Sequence, residues 1–197
     1  GMPLHKLIGG AHRTRVKAYG YGMMLKRESV ADHVARFRDE AAAIIDMGFK
    51  ATKMKVGLGA RDDVKLCEAV AEGVAGGSAG GVGDAMFMVD ANHCYATPDA
   101  FYVGRALEEL GAYWFEEPVA PEDLDGYREL RAGLRVNISG GEAEFNRWGW
   151  RQILENRGLD IAQPEVCALG GVSEYLRVLA LCHAHFTPVV NHVWGSA

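Results

Sequence analysis

The sequence predicts an α/β fold in which parallel strands close into a barrel. Short β-like runs alternate along the chain with longer helical ones, which implies a parallel sheet. Seven strand candidates recur about every 23–35 residues, and no glycine-rich nucleotide-binding motif accompanies them. These observations favour a closed barrel over an open doubly wound sheet, which stays the alternative.

The strand candidates are short runs of mainly apolar residues, bounded by polar or glycine-containing segments. They cover residues 15–21, 51–56, 86–89, 112–115, 135–138, 159–162 and 187–190.

The helix predicted over 29–47 has the clearest pattern. Ser29 can cap its N-terminus, apolar residues fall on one face at spacings of three and four, and Gly48 ends it. The Gly/Ser-rich run 76–83 is predicted to be a loop. Because it follows a helix and lacks a terminal Gly-Lys-Ser/Thr, it does not indicate a phosphate-binding loop. The other predicted helices cover residues 62–74, 97–111, 121–131, 147–156 and 172–185.

The length of the chain limits the barrel. A complete eightfold βα barrel typically needs about 250 residues, and this chain has 197. We therefore predict an incomplete barrel of about seven βα units, with no eighth strand and no domain ahead of the first strand.

Charge and cysteine content limit the partners and the compartment. The formal net charge of −5 predicts neither nucleic acid nor a membrane as partner. The four cysteines form no C-x-x-C pair, so reduced thiols are expected. Because the sequence shows no charged-then-apolar leader and no apolar run of about 18 residues, the expected location is cytoplasmic.

Ionisable or metal-ligating residues follow every predicted strand from the second onward. In a βα barrel, chemistry takes place at these carboxyl ends of the strands. Carboxylates after three successive strands, with a lysine pair before them and a histidine after, are hard to explain as ordinary polar loops. The residues are Lys53 and Lys55, Asp90 and Asn92, Glu116 and Glu117, Glu142, Glu165, and His192.

Asp90, Glu116 and Glu142 predict a magnesium site. Three oxygen ligands from neighbouring strands suit a hard dication that keeps waters and accepts substrate oxygens. No His/Cys-rich set indicates structural zinc. The ordinary alternatives are solvated lysines, carboxylates that cap helices, and a structural His192.

The motifs K-x-K, D-x-N, E-E-P and G-G-E, followed by a late His, resemble in order and spacing those of the enolase superfamily. The late His192 is similar to the histidine of the mandelate racemase/muconate lactonizing enzyme-like branch. Within that branch the chain resembles the acid-sugar dehydratases. The resemblance covers essentially the whole chain and implies a TIM-type (β/α) barrel. Residues 1–13 resemble the linker from that family's N-terminal capping domain, so residues 1–197 are predicted to be one partial catalytic barrel domain.

The resemblance also implies roles for these residues. Asp90, Glu116 and Glu142 would be the Mg²⁺ ligands. Lys55 would be the base on one face of the substrate α-carbon. Lys53 would steer the substrate carboxylate and lower the pKa of Lys55 by like-charge repulsion.

His192 is similar to the family's acid or base on the opposite face of the substrate. The family usually has Asp in the sixth-strand motif, whereas this chain has Glu165. The longer side chain can still reach an imidazole, so a Glu165–His192 pair is predicted, with a Glu165 that points away as the alternative. Asn92, His93 and Glu117 are candidates for contact with substrate or for support of the ligands.

The implied reaction is Mg²⁺-dependent removal of the proton α to a carboxylate through a metal-stabilised enediolate. The leading hypothesis is a lyase that dehydrates a sugar acid to a 2-keto-3-deoxy acid. The enzymatic alternative is a racemase or epimerase of a 2-hydroxy acid. A third hypothesis is an inactive barrel fragment that still binds metal. Because an incomplete barrel exposes strand edges, a homo-oligomer is also expected.

Overall fold

The computed structural model describes residues 1–77 and 85–193. Helices and strands alternate along these residues. In chain order the elements are α1 (Leu4–Leu7), β1 (Gly20–Tyr21), α2 (Val30–Asp46), β2 (Ala51–Lys55), α3 (Ala60–Gly76), β3 (Met86–Asp90), α4 (Thr97–Leu110), β4 (Trp114–Glu116), α5 (Leu124–Gly133), β5 (Asn137–Gly140), α6 (Arg147–Asn156), β6 (Ile161–Ala162) and α7 (Val172–Ala184).

The strands form one parallel six-stranded sheet in the order β1-β2-β3-β4-β5-β6. Two isolated parallel bridges, Ala162–Val189 and Glu165–His192, continue the sheet beyond β6. Each strand therefore lies beside its neighbour in sequence, with a helix between, as in a βα barrel. The predicted fold class, an incomplete barrel, is confirmed.

The two outer strands are much shorter than predicted. The strand predicted over 15–21 is limited to β1, and the one predicted over 187–190 is reduced to the bridges at Val189 and His192. Both segments pair on one side only within the described residues. A strand that lacks a second neighbour loses half of its ladder hydrogen bonds, so local sequence pattern alone overestimates its length.

Helix boundaries differ from the predictions where side chains cap the backbone. The helix predicted from residue 121 begins at Leu124, because the Asp123 carboxylate accepts a hydrogen bond from the Gly126 amide at 2.9 Å. Ser29 caps α2 as predicted, accepting from the Asp32 amide. Of the loop predicted over 76–83, residues 78–83 lie outside the described residues.

Apolar side chains pack in two layers, one on each face of the sheet. Because successive strand residues point to opposite faces, Met88 lies in a different layer from its neighbours Phe87 and Val89. The outer layer packs the sheet against the helices. The inner layer fills the space enclosed by the strands, with the buried members Ala51, Met88, Trp114 and Ile161.

Residues 1–18 are exposed, and α1 buries no side chain. The four cysteines are free; Cys67 and Cys182 are buried, Cys94 and Cys167 exposed. Over the described parts of the chain, no helix is both long and apolar enough to span a membrane.

The close packing of α2 against α3 gives a stability prediction. A Cβ at Gly73 would overlap the Arg38 carbonyl oxygen of α2, whereas a Cβ at Gly76 of the same helix meets nothing within 4 Å. We expect Gly73→Ala to lower the free energy of unfolding by about 1–3 kcal/mol, although alanine favours helix. Gly76→Ala should change it by less than about 1 kcal/mol. Urea denaturation measures both, and equal effects would contradict the close approach.

Candidate active site

Strand register brings the predicted site residues together. Lys55 lies beside Asp90, and Asp90 beside Glu116, at the carboxyl ends of β2, β3 and β4. Lys53 precedes Lys55 by two residues and therefore faces the same side of the sheet. The inner apolar layer lies directly below, since Met88 and Trp114 precede the two carboxylates by two residues each.

The two lysines are ion-paired with the two strand-end carboxylates. Lys53 Nζ lies 2.6 Å from Glu116 Oε1 and 3.2 Å from Asp90 Oδ2. Lys55 Nζ lies 2.5 Å from Asp90 Oδ2 and also donates to Asn92 Oδ1. Asp90 and Glu116 are 0% and 1% exposed, so these charges require partners.

Asp90, Glu116 and Glu142 converge on one point. One carboxylate oxygen from each lies within 4.8 Å of the others. Three oxygen donors at this spacing, two of them fully buried, fit a hard divalent cation that keeps free positions for water or substrate.

The G-G-E motif shapes the loop that carries Glu142. Gly140 ends β5 and Gly141 follows it, with φ angles of 159° and 110°. A Cβ at Gly140 would approach Glu117 Cγ to 3.3 Å, and one at Gly141 would overlap the buried Trp150 ring. Only glycine lets the chain turn here between two packed side chains, and this turn aims Glu142 at the other two carboxylates.

The carboxylates influence one another's protonation. Burial, reinforced by the Asp90 charge, raises the pKa of Glu116 to about 7. Burial would also raise the pKa of Asp90, but Lys53 and Lys55 outweigh it and the pKa is lowered. Burial and the Glu117 charge raise the pKa of Glu142. Burial and the neighbouring negative charges thus disfavour the ionised forms of Glu116 and Glu142, an effect that a bound dication would offset.

The predicted lowering of the Lys55 pKa is not found. Burial has the largest effect and lowers it, and Lys53 lowers it slightly, as expected from like-charge repulsion. The charge and hydrogen bond of Asp90 outweigh both, so the pKa of Lys55 is raised. The prediction considered the neighbouring lysine and omitted the carboxylate that the register places against Lys55.

His192 lies between two carboxylates. Its Nδ1 is 2.9 Å from Glu165 Oε2, and its Nε2 is 3.0 Å from Glu142 Oε2. Glu165 itself is fixed by the Cys167 amide, which donates to Oε1 at 3.0 Å. The longer side chain that this sequence has in the sixth-strand motif therefore reaches the imidazole instead of pointing away.

Asn92, His93 and Glu117 lie in the turns that directly follow β3 and β4. Asn92 contacts Lys55, as described above. His93 Nε2 lies 2.9 Å from Glu117 Oε2, and its Nδ1 lies 3.0 Å from the Val119 carbonyl oxygen. Because a carbonyl only accepts, Nδ1 carries a proton. The Glu117 side chain is 1% exposed.

Two aromatic residues belong to the site although the sequence analysis missed them. The Tyr21 ring lies over Lys53 Nζ and Lys55 Nζ, 5.7 and 5.9 Å from ring centroid to nitrogen. The Trp114 indole donates to Glu116 Oε2 at 2.9 Å. Both were detectable, because Tyr21 ends the first strand and Trp114 precedes Glu116 by the strand period of two.

The buried charge network gives a second stability prediction. Lys53→Met leaves Asp90 and Glu116 short of a partner, so we expect the free energy of unfolding to fall by about 3 kcal/mol. The control Lys65→Met breaks a pair with Asp62 in which the lysine side chain is 57% exposed, and should cost less than about 1 kcal/mol. Urea denaturation without divalent metal tests this. A similar loss in both variants would show that the buried pairs contribute no more than a surface pair.

The chain is similar along nearly all of its length to curated proteins and to solved structures. Over 196 residues the chain is 38% identical to D-galactarolactone cycloisomerase from Agrobacterium fabrum, covering 100% of this chain and 50% of that protein. It is 34% identical to arabinonate dehydratase from Saccharolobus solfataricus, covering 96% of this chain and 48% of that protein. The structure of a racemase from Streptomyces coelicolor with bound magnesium aligns with this chain with a TM-score of 0.83 at 30% identity. The alignment covers 98% of this chain and 50% of the racemase chain.

The chain thus spans about half the length of the curated relatives it matches. The family model of the enolase C-terminal domain-like proteins matches residues 36–197. This range contains both lysines, the three converging carboxylates and the Glu165–His192 pair. The chain belongs to the enolase C-terminal domain-like family.

Proposed function

We propose that this chain is the catalytic barrel of a Mg²⁺-dependent lyase that dehydrates a sugar acid to a 2-keto-3-deoxy acid. The convergence of Asp90, Glu116 and Glu142 between Lys55 and His192 carries the proposal. Lys55, which lies beside Asp90, would be the base, and His192, which lies beside Glu142, would be the acid.

Asp90, Glu116 and Glu142 would hold the cation. When bound, Mg²⁺ would neutralise the negative charge that develops on the substrate carboxylate as the α-proton leaves. The chemistry of the donor set supports this choice, because all three donors are carboxylate oxygens. The magnesium in the related racemase structure is consistent with it.

The lysines and the histidine would carry the protons. Lys55 Nζ would take the α-proton of the substrate in its neutral form, which a cation bound at Asp90 would favour by offsetting the carboxylate charge that raises the pKa of Lys55. Lys53, buried beside it, would hold the substrate carboxylate by charge. His192 would give a proton to the departing β-hydroxyl, which leaves as water. Glu165 Oε2 at Nδ1 would orient the imidazole and stabilise its charged form.

The substrate class rests on the relatives. One is a dehydratase of a sugar acid and one a cycloisomerase of a sugar lactone, by name. A racemase or epimerase would use the same Lys55 and His192 on opposite faces, and would differ by not requiring a β-hydroxyl. Water loss therefore separates the two reactions.

An isotope experiment tests the proposal. The chain is incubated with Mg²⁺ in D₂O with a panel of hexonic and hexaric acids, and products are followed by mass spectrometry and semicarbazide derivatisation of keto acids. We expect loss of one water from at least one acid. Lys55→Met should lower the rate by about 10²–10⁴-fold. His192→Asn should stop water loss but leave deuterium exchange at the α-carbon.

The surface variant Lys65→Met is the control and should keep the parent rate. Deuterium incorporation with inverted stereochemistry and no water loss would instead identify a racemase. A folded, metal-binding chain that exchanges no α-proton would contradict catalysis and support the inactive-fragment alternative.

A further inference from the structure

The backbone turns sharply just after two of the converging carboxylates. Asp90 ends β3 and Glu116 ends β4. Asn92, His93 and Glu117 then adopt left-handed conformations, with φ angles of 41°, 65° and 44°. Such conformations cost free energy for residues other than glycine, so the surrounding contacts must impose them.

His93 joins these two turns by three contacts. Its backbone amide donates to the Glu117 carbonyl oxygen at 2.7 Å. Its Nδ1 donates to the Val119 carbonyl oxygen at 3.0 Å, and its Nε2 lies 2.9 Å from Glu117 Oε2. One side chain from the β3 turn thus reaches two separate points of the β4 turn.

Glu117 is a buried carboxylate with few other partners. Among the described residues, neither of its oxygens accepts a hydrogen bond, and the ion-pair contact of Oε2 with His93 Nε2 is what holds the carboxylate. Its Cγ lies against Gly140, next to the turn that aims Glu142, and its charge acts on Glu142. If His93 did not hold Glu117, this carboxylate would be free to move against the third member of the metal site, and like charges would repel.

We propose that His93 and Glu117 form a positioning pair that fixes the three carboxylates for a divalent cation. The pair contacts the segments that bear all three, and neither residue contributes an oxygen to the converging set. The role rests on the proposed metal-assisted function. In other metal sites, residues that hydrogen-bond to the ligands fix the orientation of those ligands. Loss of such a residue typically lowers metal affinity about 10–100-fold.

Two matched substitutions separate the two ring nitrogens of His93. The amide nitrogen of asparagine can replace Nδ1 and donate to Val119, but it does not reach Glu117. The longer glutamine can place its amide nitrogen near Nε2 and donate to Glu117. The parent chain, His93→Asn, His93→Gln, Glu117→Gln and the double variant His93→Asn/Glu117→Gln are titrated with Mn²⁺ as the probe, followed by electron paramagnetic resonance.

We expect His93→Asn and Glu117→Gln each to weaken Mn²⁺ binding by about 10–100-fold. His93→Gln should stay within about threefold of the parent. The double variant should be no weaker than either single variant, because both remove the same contact. The spectrum of bound Mn²⁺ should broaden in His93→Asn, and thermal unfolding without metal confirms that each variant is folded.

Several results would overturn the proposal. If a folded His93→Asn variant binds Mn²⁺ as the parent does, the pair does not position the ligands. If His93→Gln is as weak as His93→Asn, or if the single losses multiply in the double variant, His93 acts by another route. A folded parent chain that binds no Mn²⁺ would contradict both the metal site and the positioning pair. Binding by the parent together with unchanged binding by His93→Asn would contradict the positioning pair alone.

Discussion

The structure of the site depends on one constraint: the register of adjacent parallel strands places buried charges of opposite sign side by side. Lys55 aligns with Asp90 and Asp90 with Glu116, so the side chains meet inside the barrel where water cannot screen them. Buried ions of this kind are stable only when each has a partner. The inner apolar layer lies below these charges and the buried Trp114 indole donates to Glu116, while the half-exposed Tyr21 ring lies over the lysine nitrogens.

The alternation of strands and helices was predictable because each element has a strong local signal: apolar periodicity, a capping Ser29, or a terminating glycine. The ends of the sheet were not. The strand predicted over 15–21 shortens to β1, and that predicted over 187–190 leaves only bridges. Strand length there is set by whether a neighbouring strand supplies hydrogen bonds, and the local sequence contains no information on that.

The residues that converge were predictable from one rule, that chemistry lies at the carboxyl ends of parallel strands. The interactions among these residues were harder to predict from the sequence. The raised pKa of Lys55 follows from the distance to Asp90, which only the register fixes. The contacts that His93 makes depend on a left-handed turn at a residue other than glycine. Tyr21 was missed because the rule was applied from the second strand onward and not to the first.

The most direct test of this account is a calorimetric titration of Mg²⁺ into the parent chain and into Glu116→Gln. The substitution keeps the shape of the side chain and removes the charge of the central one of the three carboxylates. The account predicts binding in the micromolar to millimolar range by the parent, and none by the variant. Equal binding by both, or no binding by a folded parent chain at millimolar Mg²⁺, would contradict a metal site formed by the three carboxylates.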